Sequence, residues 1–468
     1  MKYTTFTIVI TMLICSSCRV GPDYRVPDVN VPAHFGAIPP DKATGPTDVK
    51  EWWTKLNDST LTWLIEQTLS SNLDLKVAHA RIAQARAARG LVTAETPTAS
   101  LKAGDTQSRA SRNTPLGAFL PKREDSDYLA GFDMAWEIDI FGGISRSVEA
   151  AEADIAAATA NDRDVMVSLS AEVARVYIAL RQVQKRMDIA QESIRLQQST
   201  LDIVNGRFKA GLTTELDVQQ ATAQLEGARA AMPALDTAMN QTMYRLAFLM
   251  AKEPQALKAR LAAAAPIPAT QPLVPVGLPS DLLRRRPDIR RAERQLAASS
   301  ARIGAATADL FPRFGMTGSL GQESSNTNNL FDSSSRYWSI TPGFIWPILD
   351  AGRIRANVRL QNARQEEAMA LYIRSIMAAM SDVESSLVAY GNEQQRMQRL
   401  EAEVTAVKRS VELANDLYTK GLTDFLTLLD AERRLFQVQD QLAESQGATA
   451  TNLVALYKAL GGGWDDAK

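Results

Sequence analysis

The chain has little of what catalysis or metal binding uses. Among 468 residues there are two cysteines and two histidines. Cys15 and Cys18 both fall within the first 18 positions, so the body of the chain holds no disulfide framework and no thiolate metal site. His34 and His79 have no metal-ligand or nucleophile spacing around them, which leaves an enzyme or a cofactor without residues to carry it. Scattered Asp and Glu on amphipathic stretches read as solvated faces. An excess of one charge is missing as well. The net charge is −1, or −2 once residues 1–17, with Lys2 as their only charged side chain, are removed. Neither a basic surface for nucleic acid nor an acidic disordered tail is expected.

Proline is absent from Arg353 to Lys420, a stretch of 68 residues, and from there to the C-terminus. As one helix that stretch would be roughly 100 Å long, several times what a compact domain needs. It is expected to be a rod. Its apolar seam, Met397, Leu400, Val404, Val407, Val411, Ala414 and Tyr418, steps alternately by three and four, the spacing of a helix packed lengthwise on others. The chain then turns at Gly421, Leu422 and Thr423.

At the N-terminus, Lys2 precedes the apolar run Phe6–Ile14. That run is far below the about 20 residues of a spanning helix, so 1–17 reads as a secretory signal. Ser16 and Ser17 then precede Cys18, which suits cleavage before that cysteine and lipid attachment to it; an ordinary cleavage site with an incidental cysteine is the alternative. Cys15 stands where a bacterial lipobox usually has leucine. Residues 18–50, with prolines at 22, 27, 32, 39, 40 and 46, are expected to be an extended strap. A helical region follows over about 51–94, with a stripe of Leu69, Leu73, Val77, Ala80 and Ala83 or Gln84.

Between Pro97 and Gly142 the period changes to two. Tyr128, Ala130, Phe132, Met134, Trp136, Ile138 and Ile140 share one face and Gly131, Asp133, Ala135, Glu137 and Asp139 the other, which predicts a strand with one apolar and one polar side. Ala99, Leu101 and Ala103 mark its partner; a soluble two-layer sheet would show the same alternation. Helix resumes from Gly143 to about Lys209, with a seam of Leu169, Val173, Val176, Leu180, Val183, Met187, Ala190, Ile194, Gln197, Leu201, Val204 and Phe208 in which Gln197 is the one polar member. Gly211, Leu212 and Thr213 turn the chain, and Thr214 with Asp217 forms a capping box for a returning helix to about Met250. Pro233 is expected to kink or break that helix.

The same plan then recurs. Trp136 matches Trp346, Gly142 matches Gly352, Met187 matches Met397, Phe208 matches Tyr418, and Gly211-Leu212-Thr213 matches Gly421-Leu422-Thr423, all at one offset of 210. One offset across strand end, register and turn indicates duplication. The predicted organisation is a first repeat at 51–262 with strands within about 97–140, a linker at 263–279, a second repeat at 280–461 with strands within about 313–348, and a tail at 462–468. Tyr128, Trp136, Trp338 and Trp346 sit where membrane-interface aromatics occur. Four strands cannot close a barrel, and an open sheet in lipid leaves edge groups unpaired, so several chains must close it together.

Cys18-Arg19-Val20-Gly21-Pro22-Asp23-Tyr24-Arg25-Val26-Pro27, the internal repeat, and Tyr418-x-x-Gly421 followed by Leu426-Thr427-Leu428-Leu429-Asp430-Ala431-Glu432-Arg433 resemble the TolC-like outer-membrane efflux lipoprotein family over nearly the whole mature chain. The resemblance implies an α+β membrane protein: a homotrimer with a 12-stranded β-barrel in the outer membrane, continued by a long α-helical tube through the periplasm. It implies lipid anchoring at Cys18, and a tripartite efflux system in which a periplasmic adaptor and an inner-membrane pump, usually of the resistance-nodulation-division type, complete the path. A channel for protein or peptide secretion and a purely structural lipoprotein rod are the alternatives.

Two sites follow. Leu426, Asp430 and Arg433 step by four and three and so share a helix face. By residues alone the favoured reading is an ordinary surface helix, where such an ion pair contributes about 0.3–0.5 kcal/mol. The resemblance implies that Leu426 and Asp430 line the periplasmic aperture and that Arg433 helps keep it shut, while the first-half counterparts of Asp430 and Arg433 are Gln220 and Ala223. The turns Gly211-Leu212-Thr213 and Gly421-Leu422-Thr423 are explained by helix-hairpin geometry; by resemblance they also meet the adaptor.

Overall fold

In chain order the elements are α1 (Ser59–Ser71), α2 (Leu73–Thr93), β1 (Thr98–Arg109), β2 (Glu124–Ile138), α3 (Gly143–Lys209), α4 (Glu215–Leu249), α5 (Pro287–Ala308), β3 (Arg313–Ser324), β4 (Arg336–Ile345), α6 (Arg353–Thr419) and α7 (Phe425–Ala459), with short helical turns between some of them. They come from a computed structural model that describes residues 19–36, 49–270, 277 and 279–464. The signal segment, Cys15 and Cys18, and parts of the expected strap, linker and tail lie outside the described residues. Helices α3 and α6 have 67 residues each, and α4 and α7 have 35 each. Each start and end in the first pair of helices recurs 210 residues later.

The described residues divide into two compact units, one within 19–28, 81–159 and 291–372, the other within 29–80, 160–290 and 373–464. The first unit holds one antiparallel sheet in the order β1-β2-β3-β4. The two halves of the chain meet in it, because β2 pairs with β3 through a register running from Tyr128 opposite Ser324 to Ile138 opposite Phe314. Cross-strand rows sort the side chains by face. Leu101, Phe132, Leu320 and Trp338 form one apolar row, and Ser100, Asp133, Ser319 and Ser339 the polar row beside it. On the polar side Lys102 pairs with Asp133, and Tyr337 lies over Gly131 and Gly321, where an added Cβ would come within 2.8 Å of its hydroxyl oxygen and 2.9 Å of its ring, respectively. Glycine is needed there so that the ring can lie flat on the sheet.

Strand β2 begins at Glu124, earlier than its alternation indicated, and ends at Ile138. Ile140 is off the strand, since its N–H turns back to the Ile138 carbonyl at 2.9 Å. Trp338 also departs from the interface expectation. It lies at the start of β4 but in the row of Phe132, between the rows of Tyr128 and Trp136, because β4 is shorter than β2 at that end.

The strap is fastened to this unit by the residues of its signature. Gly21 has φ +88° and packs its backbone on Gly304 of α5 so closely that a Cβ would overlap the Gly304 Cα. Val20 donates to the Phe141 carbonyl at 3.2 Å. Arg146, with a buried side chain, donates to the Val20 carbonyl at 3.2 Å and to Asp23 at 2.7 Å. The Arg146 guanidinium holds the Asp23 carboxyl below the usual range. Tyr24 donates to Glu293 of α5; burial and that carboxylate together raise its phenol pKa.

In the second unit the expected helix over 51–94 is interrupted. Asn72 separates α1 from α2 and accepts from the N–H groups of Asp74 and Leu75. The break shifts the helical phase. Leu61, Leu64, Ile65 and Thr68 are buried on α1 and Leu75 and Ala78 on α2, while Leu73 and Val77 of the anticipated stripe are exposed. Trp52 is fully buried and stacks on Tyr457 at 5.4 Å. The seams of the long helices pack as their spacing predicts: Val173, Val176, Leu180 and Val204 are buried on α3, as are Leu400, Val404, Val411, Ala414 and Tyr418 on α6. Helix α4 continues through Pro233 to Leu249 instead of breaking. A proline inside a helix removes one backbone donor, and 17 residues of α4 on the Pro233–Leu249 side carry the buried Met243, Leu246 and Ala247 that keep it packed.

Replacing Gly21 by alanine is expected to cost about 1–3 kcal/mol, from left-handed strain and overlap with Gly304. A thermal melt of the detergent-purified protein should shift down; an unchanged melt would contradict this packing.

Candidate functional site

The two hairpin turns are built alike. Leu212 N–H donates to the Arg207 carbonyl and Gly211 N–H to that of Phe208, both at 2.9 Å; Leu422 and Gly421 repeat this on Leu417 and Tyr418, again at 2.9 Å. With Gly211 at φ +72° and Gly421 at φ +74°, both are Schellman closures that satisfy the last carbonyls of a helix. The returning helices are capped in turn. Thr214 and Asp217 form the predicted capping box on α4, and Asp424 accepts from Thr427 N–H at 2.9 Å on α7. Partial burial opposes ionisation of Asp217, but hydrogen bonds from Thr213 and Thr214 overcome it and lower its pKa. Leu212 and Leu422 are exposed at the two turns.

Below the turns the four helices share a core of Val204, Ala221, Ala414, Tyr418, Phe425, Leu428 and Leu429. The duplication is not kept side chain by side chain. Tyr418 is 3% exposed, whereas its counterpart Phe208 is 43% exposed. The difference comes from Arg207, whose guanidinium lies over the Tyr418 ring at 4.8 Å and donates to the Tyr418 carbonyl at 3.0 Å. One arginine of the first hairpin thus seals the C-terminal end of α6.

Helix α7 has two faces of opposite character. Leu426 (51% exposed), Asp430 and Arg433 point away from the core on one of them. Arg433 Nε donates to Gln224 Oε1 of α4 at 2.8 Å, so its guanidinium is held by the neighbouring hairpin and not by Asp430. The first-half positions are an exposed Leu216, a half-buried Gln220 and an exposed Ala223. The leucine is therefore duplicated, and the charges are not.

The other face carries a residue that the spacing argument passed over. Glu432 is 3% exposed, among Leu428, Leu429 and Val438, and accepts from Thr200 Oγ1 of α3 at 2.6 Å. Its signal was present in the sequence: a carboxylate three and four residues after Leu429 and Leu428 must fall on their side of the helix. Burial pushes its pKa up to about 7, and the Thr200 bond acts in the opposite direction.

Of the four aromatics expected at a membrane interface, Trp136 lies near the end of β2, and Trp346 follows β4 and donates to the Leu310 carbonyl at 3.0 Å. Tyr128 sits in the opposite end rows of the sheet. Cys18 is outside the described residues. Arg19, next in the chain, lies against Gly142, whose added Cβ would come within 3.0 Å of the Arg19 Cα. His79 Nε2 is 3.3 Å from Asp162 Oδ1.

The profile of the outer membrane efflux protein family matches residues 64–252 and 278–462. The toluene efflux pump outer membrane protein TtgI of Pseudomonas putida is 33% identical over 99% of this chain and 99% of its own length. Nodulation protein T of Rhizobium leguminosarum bv. trifolii is 30% identical over 99% and 98%. The solved outer-membrane channel OprN superposes with a TM-score of 0.89 at 36% identity, covering 96% of this chain and 100% of its own.

Proposed function

Since this chain belongs to the outer membrane efflux protein family, we propose that it is the outer-membrane channel of a tripartite efflux pump: a passive conduit for small molecules, gated at its periplasmic end. The observation that carries this reading is the joining, in one chain, of a two-faced sheet with bare edges and a duplicated pair of long helical hairpins. Edges β1 and β4 meet those of two further copies to close 12 strands, with the row of Leu101, Phe132, Leu320 and Trp338 toward lipid and the row of Ser100, Asp133, Ser319 and Ser339 toward water. The rows of Tyr128 and Trp136 lie about eight residues apart on β2, ~27 Å along the strand or ~20 Å along the membrane normal at the usual tilt of about 40°, which fits within the ~25 Å apolar band of an outer-membrane barrel. Residues 51–262 and 280–461 are the two repeats, joined by the linker 263–279, with a strap at 18–50 and a tail at 462–468. The helical hairpins form the periplasmic tube, and their turns at 211–213 and 421–423 meet the adaptor, which links the channel to an inner-membrane pump. The names of the relatives include toluene efflux and nodulation, which agrees with a conduit whose cargo is chosen by its pump.

Leu426, Asp430 and Arg433 form the gate. One exposed carboxylate and one leucine per copy narrow the opening, a ring of carboxylates attracts cations, and the Arg433–Gln224 bond ties α7 to the neighbouring hairpin. The strap supports lipid anchoring at Cys18, because it fixes Arg19 at the junction of β2 and α3, the end of the sheet that the reading places at the periplasmic leaflet.

In cells, Asp430→Ala is expected to admit large polar solutes that the wild type excludes, seen as a severalfold rise in susceptibility to a bulky antibiotic; unchanged permeability would count against a gate at Asp430. Mass spectrometry of the mature N-terminus should show acylated Cys18, and an unmodified terminus removes the anchor. Cysteines placed at Leu212 or Leu422 should crosslink to the adaptor in an assembled pump, and no crosslink there would remove the tips as the docking point.

A further inference from the structure

Glu432 is the buried carboxyl that the gate as described does not use. It lies within a polar break in an otherwise apolar seam. On α3, Ser193, Gln197 and Thr200 are all buried; Gln197 donates to Ser193 at 2.9 Å, and its Oε1 has no partner among the described residues. Across from them, Glu432 takes the Thr200 hydroxyl. Replacing both partners by apolar side chains of similar size would pack these helices more firmly, whereas removing one leaves the other buried and unbonded, since a buried polar group costs free energy unless fully bonded. The contact is therefore a point at which α7 is held to α3 less tightly than by Leu428 and Leu429 next to it.

No cation reaches Glu432 among the described residues. On its own helix, Asp430 and Arg433 lie on the exposed face, Arg433 on Gln224, and Arg434 pairs with Glu403 of α6. On α3, Arg195 pairs with Glu192, Asp202 accepts from Gln198, and Arg207 is on Tyr418. On α4, Glu226 and Arg229 pair with each other, as do Arg409 and Glu412 on α6. A carboxyl in such a place is held neutral; once ionised it must regain water, and that requires α7 to leave α3.

We propose that Glu432 is a positioning residue of the gate: bonded to Thr200 in its neutral form, it holds α7 on α3 and thereby keeps Leu426, Asp430 and Arg433 in the closed arrangement. The inference rests on the gate reading above. Its pH sign follows from the raised pKa. The closed state keeps the proton and the open, hydrated state gives it up at an ordinary carboxyl value, so closure is strongest at acid pH and is lost as the pH rises towards 7.

The test uses the purified full chain in planar bilayers between pH 5 and pH 8, with Glu432→Gln, Thr200→Val and Asp430→Ala beside the wild type. Wild-type open probability should rise on the order of tenfold across that range. Glu432→Gln keeps an acceptor for Thr200 but cannot ionise, so it should stay closed with a flat profile. Thr200→Val, without the hydroxyl donor, should open more at pH 5. Asp430→Ala should conduct more at every pH and keep the wild-type slope. A second measurement serves if openings are too few: spin labels at Ser199→Cys and Gln437→Cys should separate with rising pH in the wild type and not with Glu432→Gln. A wild-type pH profile in Glu432→Gln overturns the proposal, whatever Asp430→Ala does. A flat Glu432→Gln profile with an unaltered Asp430→Ala supports the hold on α7 and removes Asp430 from the gate.

Discussion

A strand in hydrocarbon must have every backbone N–H and C=O bonded, because lipid offers no partner and each orphan group costs several kcal/mol. That constraint decides how this chain can be used. Its sheet satisfies β2 and β3 on both sides and leaves β1 and β4 as edges. A lone copy in the membrane would expose both edges; a closed ring of copies exposes none. The alternation of apolar and polar rows acquires meaning only within that closure, as an outside and an inside. The pairing of β2 with β3 makes each copy one panel of the wall, since it joins strands from both halves of the duplicated chain.

The helical part answers the same problem by another route. Helices satisfy their own backbone, so what must be covered is the apolar seam, and the four helices near the turns cover it with a common core. Duplication builds two hairpins with the same turn and length, each with a capped returning helix. Divergence then separates their tasks: Arg207 seals Tyr418 while Phe208 is left exposed, Asp430 stands where the first half has Gln220, and Glu432 stands where the first half has Thr222. The hairpin that keeps neutral side chains at these positions is the plainer one, and the hairpin with charges carries the proposed gate.

Much of this was legible from spacing. Steps of three and four gave the long helices, their seams and the direction of their buried faces. Gly-Leu-Thr at one offset gave the turns, and alternation gave the strands to within a few residues. What spacing does not carry is long-range choice. The union of β2 with β3 depends on residues far apart in sequence. Asn72 changed the helical phase with a single side-chain cap, so Leu73 and Val77 came out exposed. Gly21 and Arg146 belong to a motif whose reason, a backbone laid on Gly304 with a buried guanidinium beside it, is visible only in three dimensions. Glu432 is readable from its register as lying on the side of Leu428 and Leu429, but its burial depends on the neighbouring helix as well as on its own. Cys18 lies outside the described residues, and its role rests on the serines before it and the strap after it.

On the proposed function, copies of this chain together form one continuous aqueous path. The most direct measurement is the ionic conductance of the purified, folded protein after insertion into a planar lipid bilayer. Discrete conductance steps from an oligomer are expected, small at rest and larger when the charged hairpin is released. Folded protein that inserts and carries no ions under any of these conditions would contradict that function.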